Sequence, residues 1–176
     1  MKKILVTILL VLLFVTAPLF AVTDSFNVTT EVADVGKIKV TTATVGVAPH
    51  TETAFDNLVA FGDLSISSSG AQTFTAYMST ISNSRSGYEV MMEATSMIST
   101  VSSVDSYIDY TVTVNGTDLT TTGSTAATGV KVLDVASLTG IAAESHAISL
   151  SIDSTTYAAA VAGSYLGTVT FTYTAT

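Results

Sequence analysis

Four apolar residues, Val169, Phe171, Tyr173 and Ala175, alternate without a break with Thr168, Thr170, Thr172 and Thr174. A period of two gathers the apolar groups on one side of a pleated strand and the threonines on the other, whereas a helix would scatter both around its circumference. The same signature recurs along the chain. Phe26, Val28, Thr30 and Val32 alternate with Asn27, Thr29 and Glu31, and Phe74, Ala76 and Met78 with Thr75, Tyr77 and Ser79. Tyr88, Val90, Met92 and Ala94 mark another strand, residues 108–114 the next, and Ile148, Leu150 and Ile152 one more. Shorter apolar sets stand at residues 38–41, 45–47, 58–66 and 130–135. Ser82-Asn83-Ser84-Arg85-Ser86-Gly87 reads as a turn, and Asn115-Gly116 as a hairpin turn with its partner strand over residues 117–122, since both residues tolerate positive φ. Serine and threonine crowd residues 91–104, whose middle reads as a loop, and residues 137–147 have room for one helical turn. The pattern predicts about eight or nine short strands in one all-β domain over residues 22–176, an immunoglobulin-like β-sandwich.

Composition agrees. Valine, threonine, isoleucine, tyrosine and phenylalanine suit a pleated, half-buried surface. The chain has no cysteine, so disulfides and thiolate metal sites are excluded and stability must come from packing and hydrogen bonds.

The first residues read as an export signal. Lys2 and Lys3 precede an apolar run over residues 4–15, and Ala17-Pro18-Leu19-Phe20-Ala21 ends in a small residue. This is the layout of a cleaved secretory signal over residues 1–21. The alternative is a retained anchor, but the run is short for a span of roughly 20 residues. Cleavage would leave no stable membrane span. A lipoprotein would need a cysteine at the cut and a type IV prepilin a glycine before the apolar run; neither residue stands there. Without Lys2 and Lys3 the remainder keeps four basic residues against fourteen acidic ones, a formal charge of −10. Phosphate recognition needs clustered lysine and arginine, so nucleic acid is not an expected partner.

Catalytic constellations are missing from the sequence. His50 and His146 are the only histidines, and each reads as a solvent-facing residue rather than half of a pair. No Gly-x-Ser-x-Gly elbow, Ser-x-x-Lys, phosphate loop or dinucleotide fingerprint occurs. The serines read as outward-facing strand and turn residues. Asp63, Asp105, Asp109, Asp118 and Asp153 stand near predicted strand ends, where calcium ligands are found, but without EF-hand spacing they read as turn residues. Lys39 and Lys131 lie in predicted strands and are candidates for a Lys–Asn isopeptide bond only if buried. The expectation is a protein that is not an enzyme and takes no cofactor.

The terminal strands are the informative feature. Residues 26–32, with Phe26, Val28, Thr30 and Val32 on one face, follow directly on the expected cleavage site. The last strand, with Val169, Phe171 and Tyr173, is apolar on one face and has no later segment to cover it. Exposed edges of this kind template pairing with another chain.

The segment Ala162-Gly163-Ser164-Tyr165-Leu166-Gly167-Thr168-Val169-Thr170-Phe171 resembles the closing strand of chaperone–usher pilins and of spore-coat-U-like secreted domains. The run Phe26-Asn27-Val28-Thr29-Thr30-Glu31-Val32 is similar to the donor strand of cysteine-free pilins, and Asn83-Ser84-Arg85-Ser86-Gly87-Tyr88-Glu89-Val90 to their mid-domain hairpin. The penultimate tyrosine of many pilins has no counterpart; Tyr173 is fourth from the end. The resemblance implies an incomplete immunoglobulin-like sandwich, a periplasmic chaperone and an usher, polymerisation with identical or related subunits by donated strands, and a place on the cell surface in a fimbrium. The alternative is a free-standing secreted sandwich that binds a ligand such as carbohydrate. That reading expects exposed aromatic rings, and the chain has no tryptophan.

Overall fold

The computed structural model describes residues 27–101 and 103–176. Two compact units divide the chain, Met1–Val32 and Ala33–Thr176. In the first, residues 27–32 carry neither strand nor helix, and Val28 and Val32 are 84% and 79% exposed. The expected signal segment and Phe26 lie outside the described residues.

The second unit is all-β. Its strands are β1 (Gly36–Thr41), β2 (Gly70–Ala71), β3 (Tyr77–Ser82), β4 (Tyr88–Ala94), β5 (Met97–Val101), β6 (Val104–Ile108), β7 (Tyr110–Val114), β8 (Thr117–Thr120), β9 (Ala127–Val135), β10 (Ala142–Ile152) and β11 (Val169–Ala175). Two short helices, α1 (Glu52–Asp56) and α2 (Ser154–Ala159), complete it. Every ladder is antiparallel. The larger sheet runs β1-β3-β10-β7-β8 with β2 also beside β10; the smaller runs β11-β4-β9; β5 and β6 form a separate hairpin. Met78, Val112 and Ile152 of the larger sheet share one buried core with Tyr88, Val90, Met92 and Val132 of the smaller. The arrangement is therefore sandwich-like, with the alternating apolar faces turned inward.

Local chemistry explains the turns. Asn115 and Gly116 take φ of 52° and 74°, so the Asn-Gly pair reverses the chain between β7 and β8 as its residue types require. Gly87 takes φ of 91° before β4, where a Cβ would overlap the carbonyl oxygen of Val135.

The larger sheet is broken beside β10. Gly70 opposes Ile152 and Tyr77 opposes Ala147, so seven steps on one side face five on the other. The two surplus residues bow out between β2 and β3, as in an enlarged bulge. Strand β3 is buried on both faces. Met78 points to the core, while Ile81, on the opposite face, borders a small pocket with Phe55 of α1 and Leu58. Thr51 caps α1 by accepting from the Ala54 N–H, and Lys37 of β1 pairs with Glu52 at 2.6 Å and Asp56 at 2.8 Å.

Several expectations need correction. Among the described residues eleven strands form where the spacing suggests about eight or nine, partly because the stretch whose middle reads as a loop, residues 91–104, contains β5. Residues 58–66 form no strand; only Ala60 bridges, to Thr41. Residues 45–47 are likewise irregular. The two helical turns fall at α1 and α2, and residues 142–147 are extended. Serines are not all outward: Ser79, Ser82, Ser96 and Ser99 are buried, and the hydroxyls of Ser79, Ser82 and Ser96 find partners inside.

Candidate functional site

The second unit carries an open groove of about 990 Å³. Its floor is the inner face of the larger sheet, where Ala76, Val112, Ile148 and Leu150 project from neighbouring strands. One wall comes from Val40 of β1 and from Phe61, Leu64 and Ile66 of the segment after α1. Phe61 is seated by its N–H, which donates to the Val40 carbonyl at 2.9 Å, and its ring meets that of Phe74 at 5.7 Å. The other wall is the N-terminal half of β11, with Val169 and Phe171, preceded by residues 163–168. Ile148, Leu150, Phe61, Phe74 and Phe171 are all half-buried, so the groove leaves apolar surface of the core in water. The interruption between β2 and β3 lies at this place in the sheet.

The groove is shut at one end. There β1 approaches β11 until Gly36 lies against the ring of Tyr173. That ring stacks on Tyr88 with centroids 5.0 Å apart and bonds to Ser82 Oγ at 2.9 Å through its hydroxyl. Behind it the Tyr88 hydroxyl meets Thr80 Oγ1 at 2.9 Å and donates to Glu144 Oε1 at 2.5 Å. Burial, and then the Glu144 carboxylate, push the Tyr88 phenol far above its ordinary range. Burial pushes Tyr110, on the floor, up to about 12.

The two edges of the smaller sheet differ. Strand β9 pairs with β4 through two register shifts and carries Lys131, which pairs with Glu89 at 2.7 Å and Asp134 at 3.0 Å. Bulges and an edge lysine are the usual protection against unwanted pairing. Strand β11 pairs with β4 over all seven residues without a slip, carries no charge, and stands last in its sheet. Gly163 lies at the groove rim, Val169 and Phe171 face into it, and Tyr173 sits at the shut end.

The other residues singled out in the sequence are brought to no common site. His146 Nε2 is 3.0 Å from Glu144 Oε2 on β10, and His50 borders the small pocket beside Phe55. Asp105 accepts from Thr100, Asp118 from Thr113, and Asp109 from Ser96 and the Gly123 N–H. Asp153 caps α2, and the Thr156 N–H it receives at 2.8 Å holds its carboxyl below the usual range. Asp63 lies on the groove rim. Among the described residues no three histidine, cysteine or carboxylate side chains group as metal ligands. Lys39 bonds to the carbonyls of Asp56 and Leu58, and Lys131 makes its ion pairs near the surface, so neither is a buried amine beside an asparagine. Among the described residues no helix is long and apolar enough to cross a membrane. The groove itself was not legible in the sequence, where Phe74 and Ile148 read only as strand residues and Phe61 was not singled out.

No family model, curated protein or solved structure matches the chain.

Proposed function

We propose that this protein is a structural subunit of a bacterial surface fibre or coat, exported through a cleaved signal and assembled by β-strand donation. In this reading the two sheets are an incomplete immunoglobulin-like sandwich. Residues 26–32 of one copy fill the groove of a second copy and pair with the free edge of β11. A periplasmic chaperone and an usher would shield the groove in transit to the cell surface.

The observation that carries the reading is the apolar groove beside an unprotected, uncharged strand edge. A soluble chain does not leave such an edge and several aliphatic and aromatic groups in water without a use for them. The arm matches what is needed. Its Val28 and Val32 are exposed and free to be buried elsewhere. Each large apolar side chain contributes about 1.5–3 kcal/mol on full burial. Pairing with β11 would also satisfy a row of backbone groups.

The test is size-exclusion chromatography and electron microscopy of the wild type, of Val28→Asp and of a chain starting at Ala33. The wild type is expected to form polymers. Val28→Asp, which would bury an unpaired carboxylate, should give folded subunits that do not assemble. A wild type that stays monomeric while the shortened chain unfolds would place the arm in its own sandwich and end the proposal.

A further inference from the structure

Asn115 and Gly116 form the turn between β7 and β8, and they carry a reactivity that the groove does not use. In an asparagine–glycine pair no side chain on the second residue hinders its backbone nitrogen from adding to Cγ of the first. The Gly116 nitrogen gives up its proton, its bond to Asn115 Cγ forms, and Nδ2 leaves as ammonia. The product is a five-membered imide. Water then opens the imide at either carbonyl. Opening at Cγ leaves aspartate; opening at the main-chain carbonyl leaves isoaspartate, whose backbone runs through Cβ and Cγ. The balance is water taken up and ammonia released.

The fold opposes the first step. Ring closure needs the Gly116 nitrogen eclipsed with Cβ across the Cα–C bond, which for an L-residue means ψ of about −120°, the value at the first central position of a type II′ turn. Asn115 and Gly116 instead take φ of 52° and 74°, both positive, as a type I′ turn requires. That turn holds its first central residue at ψ of about +30°, roughly 150° from the reactive value, so the nitrogen faces away from Cγ.

A second restraint acts on the leaving group. Asn115 Nδ2 donates to the Val132 carbonyl of β9 at 2.9 Å. Val132 falls in a register shift of the β4–β9 ladder, where Val90 faces Leu133 and Met91 faces Lys131. The amide therefore serves a carbonyl of the one residue that the bulge leaves without a cross-strand partner there.

We propose that Asn115–Gly116 is a self-modification site gated by the β7–β8 hairpin, closed to reaction in the folded chain and converted only in copies whose hairpin has opened. Conversion runs one way. A carboxylate at position 115 has no N–H to give to Val132, so two acceptors face each other. Isoaspartate also lengthens the backbone of a two-residue turn, and turn length sets the register of β7 on β8. A copy that has stayed open long enough carries a permanent mark and closes less firmly afterwards.

The test starts with the unaltered full chain, held at mildly alkaline pH either folded in buffer or unfolded in concentrated guanidinium chloride. Cleavage after Arg85 and Lys131 releases the fragment Ser86–Lys131, in which Asn115 is the only side-chain amide, so loss of ammonia is read there by mass spectrometry. The folded sample is expected to convert at least about tenfold more slowly, because reaction is confined to the open fraction. The unfolded sample, once converted and returned to buffer, is expected to show a lower urea midpoint than one unfolded only briefly. An Asn115→Gly chain, which keeps a residue suited to positive φ but cannot form the imide, should keep its midpoint through the same treatment. Equal conversion in the folded and unfolded samples overturns the proposal. So does an unchanged midpoint after conversion, or an equal fall in Asn115→Gly. Neither readout depends on whether the chain polymerises.

Discussion

Tyr173 closes over Gly36: a Cβ on the glycine would stand 2.8 Å from Cε1 of the ring and 2.9 Å from its hydroxyl oxygen. The ring has nowhere to go, being stacked on Tyr88 and tied to Ser82. Gly36→Ala should therefore cost about 1–3 kcal/mol, the usual range for a forced fit in a packed core. Replacing Tyr173 by leucine in the same chain should recover part of that loss. Urea unfolding of the two single variants and the double variant measures the coupling. A Gly36→Ala protein as stable as wild type would show that the two strands separate freely at this point.

A second glycine is more exacting. Gly87 combines a φ of 91° with the overlap its Cβ would make on Val135. Its carbonyl also accepts from the Thr176 N–H at 3.1 Å, tying the end of β11 to the β3–β4 turn. Backbone strain and overpacking add, and Gly87→Ala should lose about 3 kcal/mol or more. Thermal unfolding followed by circular dichroism would reveal it, and an unchanged midpoint would contradict the tight passage.

Alkali should unfold the protein in a defined window. The raised phenols of Tyr88 and Tyr110 favour the folded state as long as they are protonated. This contribution is present in full below about pH 10, the ordinary tyrosine value; the Tyr110 part is lost as pH rises through about 12, and the Tyr88 part at still higher pH. Phenolate absorbance should show a late-titrating fraction that includes Tyr88 and Tyr110. In Tyr110→Phe the fall in urea midpoint across that window should be shallower. An equal fall in wild type and variant would mean that Tyr110 is not the group responsible.

The groove should accept a free strand. A peptide of residues 26–32 added to a chain that starts at Ala33 should raise its melting temperature. At a hundredfold excess over the dissociation constant the gain is about 2.7 kcal/mol. The same peptide with Val28→Asp should give no shift. Equal shifts from both would mean that the apolar face of the arm does not enter the groove.

Much of the fold is legible in the alternation of apolar residues. Strands β4, β7 and β11 run where the pattern puts them, and Asn115-Gly116 turns the chain as its chemistry demands. Those segments are governed by local geometry and by one buried face. What is not legible depends on partners far along the chain. Leu58, Ala60, Leu64 and Ile66 alternate like a strand, yet the segment pairs with β1 only at Val40, Thr41 and Thr42, and beyond that Leu64 and Ile66 line the groove. The buried hydroxyls mislead for a related reason. Thr41 meets Ser79 at 2.8 Å, Ser79 meets Ser145 at 2.7 Å and Thr80 meets Tyr88 at 2.9 Å, so residues that read as outward-facing sit inside at little cost. No periodicity in one segment records a hydroxyl partner 38 or 66 positions away.

The unlike edges of the smaller sheet set a valence. If assembly is by strand donation as proposed, then with β9 bulged and guarded by Lys131, and β11 bare, a copy would offer one acceptor and have one arm to give. Units with one of each can only concatenate; they do not branch or crosslink. A copy without the arm would fill no neighbour and would act as a chain stopper, so the length distribution of the product would be governed by the ratio of complete to arm-less copies and not by affinity alone.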